Sequence, residues 1–196
     1  MMARKQLWVL AGGNGAGKST FHERFLAPLG VPFVNADLIA LDLNDAHPEK
    51  VSYEAARVAE RLRYDLIHSG VSFCFETVFS HPSKIDFVAE AKALGYEVVL
   101  VFSHLASDEL NQARVAQRVS DGGHNVPAEK VISRIPRTLR HVHSVLLLVD
   151  MAQFYDNSSS TEPYRSVAKL EHGVLTHVAD PLPEWAEEML RGYLSE

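Results

Sequence analysis

The chain has 196 residues, enough for one compact domain spanning 1–196, and no repeat or linker divides it. Its 46% hydrophobic and 22% charged residues are those of an ordinary globular protein, and the absence of any run of about 18 apolar residues excludes a helical membrane span. A net charge of −6 argues against a general nucleic-acid binder. The one cysteine, Cys74, excludes an internal disulfide and a cysteine-based zinc cage. Set between Phe73 and Phe75, it reads as a small buried strand residue, and a cytoplasmic location is the default expectation.

Short apolar runs alternate with longer amphipathic ones, the pattern of βα units around a mostly parallel sheet. Gln6–Ala11 reads as the first strand, 18–26 as a helix closed by Pro28 and Gly30, and 31–35 as a second short strand. A helix over 48–69 stops at Gly70, and the apolar, aromatic stretch 71–78 reads as a buried strand. A helix over 82–94 stops at Gly95. The continuous run Val98-Val99-Leu100-Val101-Phe102 within 96–103 predicts a strand covered on both faces. Ser107-Asp108-Glu109-Leu110 opens a helix over 107–119, and Gly122-Gly123 makes a turn before a long helix over 127–150, bent or broken at Pro136. A last short strand at 152–155, a polar loop at 156–161, a hairpin from 164–170 and Val174–Val178, and a helix over 183–194 complete the chain. The expected fold is α/β: a three-layer P-loop NTPase or kinase-like domain with five mostly parallel strands, a helical lid over about 107–140 and a small C-terminal hairpin.

Between the first strand and first helix, Gly12-Gly13-Asn14-Gly15-Ala16-Gly17-Lys18-Ser19 matches G-x-x-x-x-G-K-[ST] at every fixed position, with Thr20 following. Glycines let the backbone form a nest of N–H groups aimed at phosphate oxygens, and the following helix adds its positive end. In that cradle Lys18 bridges the β- and γ-phosphates of ATP or GTP, and the Ser19 hydroxyl ligates Mg²⁺.

A phosphate cradle alone does not separate a kinase from a GTPase switch or a mechanical ATPase. Asp37 stands just past the second strand, at the carboxyl edge where open α/β sheets bind ligands; it reads equally as a general base for an acceptor hydroxyl or as a helix N-cap. Glu76 and Thr77 end the third strand at the same edge. Glu76 leaves an apolar run, so it reads as support for the magnesium shell, as a grip on a substrate hydroxyl, or as a strand end turned to solvent. Arg114, Arg118, Arg134, Arg137 and Arg140 flank the Gly122-Gly123 turn, where a closing lid brings guanidinium groups to a transferring phosphoryl.

The segments Ala-Gly-Gly-Asn-Gly-Ala-Gly-Lys-Ser-Thr (11–20), Val-Asn-Ala-Asp (34–37), Phe-Glu-Thr (75–77), Arg-Val-Ala-Gln-Arg-Val with Gly-Gly-His-Asn-Val-Pro (114–127) and Tyr-Asp-Asn-Ser (155–158) resemble the zeta toxin family of P-loop kinases, above all its short chromosomal members. The resemblance implies ATP- and Mg²⁺-dependent phosphorylation of a UDP-activated amino sugar, UDP-N-acetylglucosamine being typical. It implies Asp37 as the base, Glu76 and Thr77 at the sugar, Arg118 and Arg134 on the phosphates, His124 near phosphate, and Asp156 and Asn157 beside the adenine. A separate antitoxin protein is the partner that the family implies; no extended substrate domain like that of the plasmid-borne toxins is identified. The other readings are a kinase of another small acceptor, such as an antibiotic or nucleoside, and a nucleotide-gated binding module with only slow hydrolysis.

Overall fold

The structure, a computed structural model, describes residues 4–120 and 127–194, with all their side chains except those of Arg118, Ser120 and Ala128. Five parallel strands, β1 (Gln6–Ala11), β2 (Phe33–Val34), β3 (Phe73–Thr77), β4 (Glu97–His104) and β5 (Met151–Asp156), lie in the order β2-β3-β1-β4-β5. The predicted hairpin is not a separate appendage. Its strands β6 (Arg165–Glu171) and β7 (Val174–Val178) continue the same sheet antiparallel from β5, bringing it to seven strands. His172 and Gly173 turn it with φ of 49° and 79°.

The strands alternate their side chains between two apolar layers, as the two-residue period requires. Leu7 and Val9 of β1 and Val98, Leu100 and Phe102 of β4 face a large core covered by α3 (Ser52–His68), α4 (Ser83–Ala93), α6 (Ala128–Val145) and α7 (Glu184–Met189). Leu10, Val99 and Val101 face a smaller one with Phe21 and Leu26. All but the first residue of β4 are buried, as its unbroken apolar run predicts, and each such aliphatic or aromatic side chain contributes about 1.5–3 kcal/mol. Cys74 is fully buried, and burial pushes its thiol up, so it is an inert packing residue.

Three local predictions change. The first helix keeps α geometry only over α1 (Lys18–Phe21); His22–Leu26 widens into a π turn before a tight turn at Ala27–Leu29 and Gly30. A helix that the apolar pattern did not predict, α2 (Ala36–Leu43), follows β2. α6 runs unbroken through Pro136 and stops at Val145 rather than near 150. Pro136 is exposed, so water can satisfy the carbonyl it leaves without a partner. α5 (Asp108–Ser120) forms as predicted, with the Ser107 hydroxyl accepting from the Leu110 N–H. Among the described residues, no helix is long and apolar enough to cross a membrane.

His104, at the end of β4, is 8% exposed and packs on Phe102 and on Trp185 of α7, whose ring lies 4.8 Å away. Burial drives its pKa down to about 4 from 6.5, against the pull of Asp156, so the folded ring is neutral. Between those values the unfolded chain binds the extra proton. Stability is therefore complete above 6.5 and falls as pH drops towards 4, by at most about 1.4 kcal/mol per pH unit from this group. Urea denaturation across that range is expected to show the slope in the wild type and a shallower one in His104→Gln; equal slopes would assign the acid sensitivity elsewhere.

Candidate active site

The parallel register sets the site. Ala11 pairs with Thr77 on one side and Phe102 on the other, so the glycine loop, Glu76 and Ser103 leave the sheet together at its carboxyl edge. Two glycines are required by contact as well as by backbone. At Gly12, φ 149°, a Cβ would lie 2.2 Å from the Ser103 carbonyl oxygen. At Gly17, φ 89°, it would meet Asn157 Nδ2 at 2.4 Å and the Tyr164 hydroxyl at 2.8 Å. The chain can pass β4 and the β5 end this closely only without a side chain.

Lys18 is buried at the start of α1, its Nζ donating to the Gly13 carbonyl at 2.9 Å and lying 3.5 Å from Glu76 Oε1. Glu76 Oε2 accepts from the Ser19 hydroxyl at 2.7 Å and from Asn35 Nδ2 at 2.9 Å. The carboxylate that leaves an apolar strand is thus met by a cation and two donors, which offsets its desolvation. It is not a strand end turned to solvent. Asn35 carries the network further: its Oδ1 accepts from the Asp37 N–H at 2.7 Å and the Leu38 N–H at 3.4 Å, capping α2. The cap is therefore Asn35 and not Asp37, which stands exposed in the first turn of α2.

Beside the loop opens a cleft of about 450 Å³, lined by Gly15, Gly17, Lys18, Ser19, Thr20 and Glu76 among the predicted residues, with Asn157. Arg114 lines it too. Sequence reasoning did not single out Arg24, Gln117, Ser159, Ser160, Pro163 and Tyr164, which complete the wall. Arg24 sits in the π turn, a distortion that recurs at functional sites because it re-aims side chains. Nothing in the sequence spacing points to Tyr164, whose hydroxyl donates to the Gly17 carbonyl at 2.7 Å.

Other predicted residues take different places. The Thr77 hydroxyl accepts from the N–H of Phe79, a buried residue held at φ 62°. That loop is pinned from α6, where Thr138 Oγ1 donates to Val78 O and His141 Nδ1 to Phe79 O. Arg134 is half-buried one turn before Thr138 on α6, next to Ile135, which packs near Gly13. The arginines do not gather as one cluster: Arg140 lines a separate groove between α6 and α7, and exposed Arg137 bonds to the Ser133 carbonyl in its own helix. The side chain of Arg118, and Gly122, Gly123 and His124, lie outside the described residues. Asp156 Oδ1 accepts from the Ser158 N–H at 2.8 Å and its Oδ2 lies 3.8 Å from Arg165, so it organises the turn beside the cleft. Among the described residues, no three His, Cys, Asp or Glu side chains gather to hold a metal. The hydroxyl of Ser19 beside the Glu76 carboxylate is a hard-oxygen pair that suits Mg²⁺ carried in mainly by phosphate and water.

The Zeta toxin family model matches residues 2–168 of this chain. The chain belongs to the zeta toxin family. The match takes in the cradle, Asp37, Glu76, α5 and α6 and ends within β6, so β7 and α7 lie beyond it. A protein of Haemophilus influenzae described as uncharacterized is 33% identical over 138 residues, 67% of this chain and 97% of that protein. Among solved structures, the AvrRxo1-ORF1:-ORF2 complex with ATP has a chain that superposes with a TM-score of 0.74 at 20% identity. The match covers 99% of this zeta toxin family member but 66% of that longer chain. The PezAT chromosomal toxin–antitoxin system of Streptococcus pneumoniae has a chain matching at a TM-score of 0.65 and 16% identity, over 98% of this chain and 81% of that one. These likenesses show the shared P-loop kinase-like fold.

Proposed function

We propose that this family member is an ATP-dependent kinase that transfers the γ-phosphate to a hydroxyl of a UDP-activated amino sugar, with UDP-N-acetylglucosamine the first acceptor to test. The observation that carries the reading is the continuous network Lys18–Glu76–Asn35–α2, with Ser19 bonded to the same Glu76 carboxylate. It ties the phosphate cradle rigidly to the helix turn that bears Asp37. A switch has no need of such a tie; a transferase must hold donor and acceptor at fixed separation.

In this mechanism the loop N–H groups and Lys18 hold the β- and γ-phosphates; Ser19 and Glu76 would hold Mg²⁺, which would supply neutralisation of charge on the phosphate oxygens. Asp37 accepts the proton of the acceptor hydroxyl as its oxygen bonds to the γ-phosphorus. The bond from that phosphorus to the bridging oxygen of ADP breaks, and ADP leaves with the electron pair. Arg118 and Arg134 supply positive charge from the lid helices, Thr77 with Glu76 meets the sugar, and Asp156 and Asn157 border the adenine. The likeness to a chain of the PezAT toxin–antitoxin system supports a separate antitoxin as the protein partner.

The test is product analysis with purified protein, ATP and Mg²⁺ across a panel of nucleotide sugars, with Lys18→Met as the blank. A phosphorylated UDP-N-acetylglucosamine absent from the blank is the expected result. Tight ATP binding with no transfer to any sugar would overturn the acceptor and leave the cradle standing.

A further inference from the structure

Three side chains from distant parts of the chain end on two consecutive carbonyl oxygens of the phosphate loop. Ser103 Oγ, at the end of β4, donates to Ala16 O at 2.7 Å, and Asn157 Nδ2, just past β5, donates to the same oxygen at 3.0 Å. Tyr164, one residue before β6, donates from its hydroxyl to Gly17 O at 2.7 Å. Ser103 is 1% exposed and Asn157 5%, so these bonds form where no water competes.

A trans peptide is planar, with its C=O and N–H pointing in opposite directions. Holding Ala16 O on Ser103 and Asn157 therefore turns the Gly17 N–H the opposite way, and Gly17 O, which accepts from Tyr164 and also from the Phe21 N–H at 2.9 Å in the first turn of α1, does the same for the Lys18 N–H. Lys18 Nζ and the Ala16 N–H complete the pattern on Gly13 O, at 2.9 and 3.3 Å. Unanchored, a glycine-rich loop samples orientations in which these donors point elsewhere, and binding must then supply the ordering free energy.

Tyr164 itself is held against local preference. Its φ is 56°, a left-handed conformation that costs a side-chain-bearing residue about 1 kcal/mol or more, and Asn157 Oδ1 accepts from its N–H at 3.2 Å. Burial pushes its phenol up, with a Thr20 hydrogen bond pulling the other way, so the hydroxyl keeps its proton and remains a donor at neutral pH.

We propose that Ser103, Asn157 and Tyr164 are positioning residues that preset the phosphate cradle, and that the C-terminal hairpin exists in this chain partly to deliver Tyr164 to Gly17. Asn157 then acts on the loop backbone rather than only bordering a base. The proposal rests on the nucleotide-binding half of the function above and not on the acceptor.

Titration calorimetry with ATP, AMP and inorganic tripolyphosphate tests it, with Tyr164→Phe and Ser103→Ala against wild type. Tyr164→Phe keeps the ring and its packing against Phe21 and Phe25 while deleting the donor. Loss of one net hydrogen bond is expected to weaken ATP and tripolyphosphate by the same factor, about five- to tenfold, with AMP changed by less than about twofold. Tripolyphosphate has no base and AMP no β-phosphate, so a merely structural defect would weaken all three alike and overturn the proposal. ATP weakened with tripolyphosphate unchanged would place Tyr164 on the nucleoside and also overturn it. If Ser103→Ala fails to fold, Tyr164→Phe decides alone. No acceptor is present in the cell, so failure to phosphorylate any nucleotide sugar is a separate outcome that does not touch this one.

Discussion

Asp37→Asn is expected to lower phosphoryl transfer by about 10²- to 10⁴-fold while leaving ATP affinity within about twofold, because a general base contributes on that scale and touches no phosphate. The α2 cap is the Asn35 side chain, so Asp37→Asn removes neither the cap nor the bonds that Asn35 makes to Glu76. It also removes one negative charge from the first turn, worth about 0.3–1 kcal/mol of helix stability. Single-turnover assays paired with ATP titration and a thermal melt read all three quantities. Undiminished transfer would show that the carboxylate serves only the helix, and another base would have to be found at the acceptor pocket.

Lys18→Met should be more damaging still, since one substitution removes a preorganised donor to the transferring phosphate and the cation beside Glu76. Deleting such a donor costs about 10²- to 10³-fold in transfer. Methionine keeps an apolar stem in the buried channel that Lys18 occupies, so the loss reports the charge and not a cavity. Among the described residues Glu76 then keeps Ser19 and Asn35 as donors, and an undercompensated, largely buried carboxylate costs about 1–3 kcal/mol. Adding Glu76→Gln to Lys18→Met is expected to recover the melting temperature without recovering activity. If the double variant melts no higher than the single one, the Lys18–Glu76 pair does not stabilise the fold as described.

What could be read from the sequence was what is encoded locally. The loop of residues 12–19 is contiguous, and the apolar run of β4 is unbroken, so both announce themselves in a short window. α2 does not: Leu38, Ile39, Leu41 and Leu43 spread apolar character round the helix, and Leu38, Leu41 and Leu43 end up exposed, so no helical stripe marks it. Its start signal was present in Asn35, but Asn and Asp two residues apart can both cap, and only the hydrogen bonds decide between them. Arg24 was hidden by the π turn, which alters the angular phase on which spacing arguments depend. Tyr164 was hidden by distance. It lies 147 residues from the carbonyl it holds, and no periodicity in one chain relates positions so far apart.

The position of β1 has a consequence for the order in which the molecule can come together. Of the seven strands of this sheet it is the earliest synthesised, yet it is the middle one of the parallel five, flanked by β3 and β4. Its glycine loop is synthesised with none of its anchors. Ser103, Asn157 and Tyr164 follow 87, 141 and 147 residues later than the atoms they hold. Closing such long loops adds little entropy per residue but delays the contacts that repay it, so the complete motif exists early as a mobile glycine-rich segment. If these anchors preset the cradle, a nucleotide is held at full affinity only once the last parallel strand and the first hairpin strand have joined the sheet.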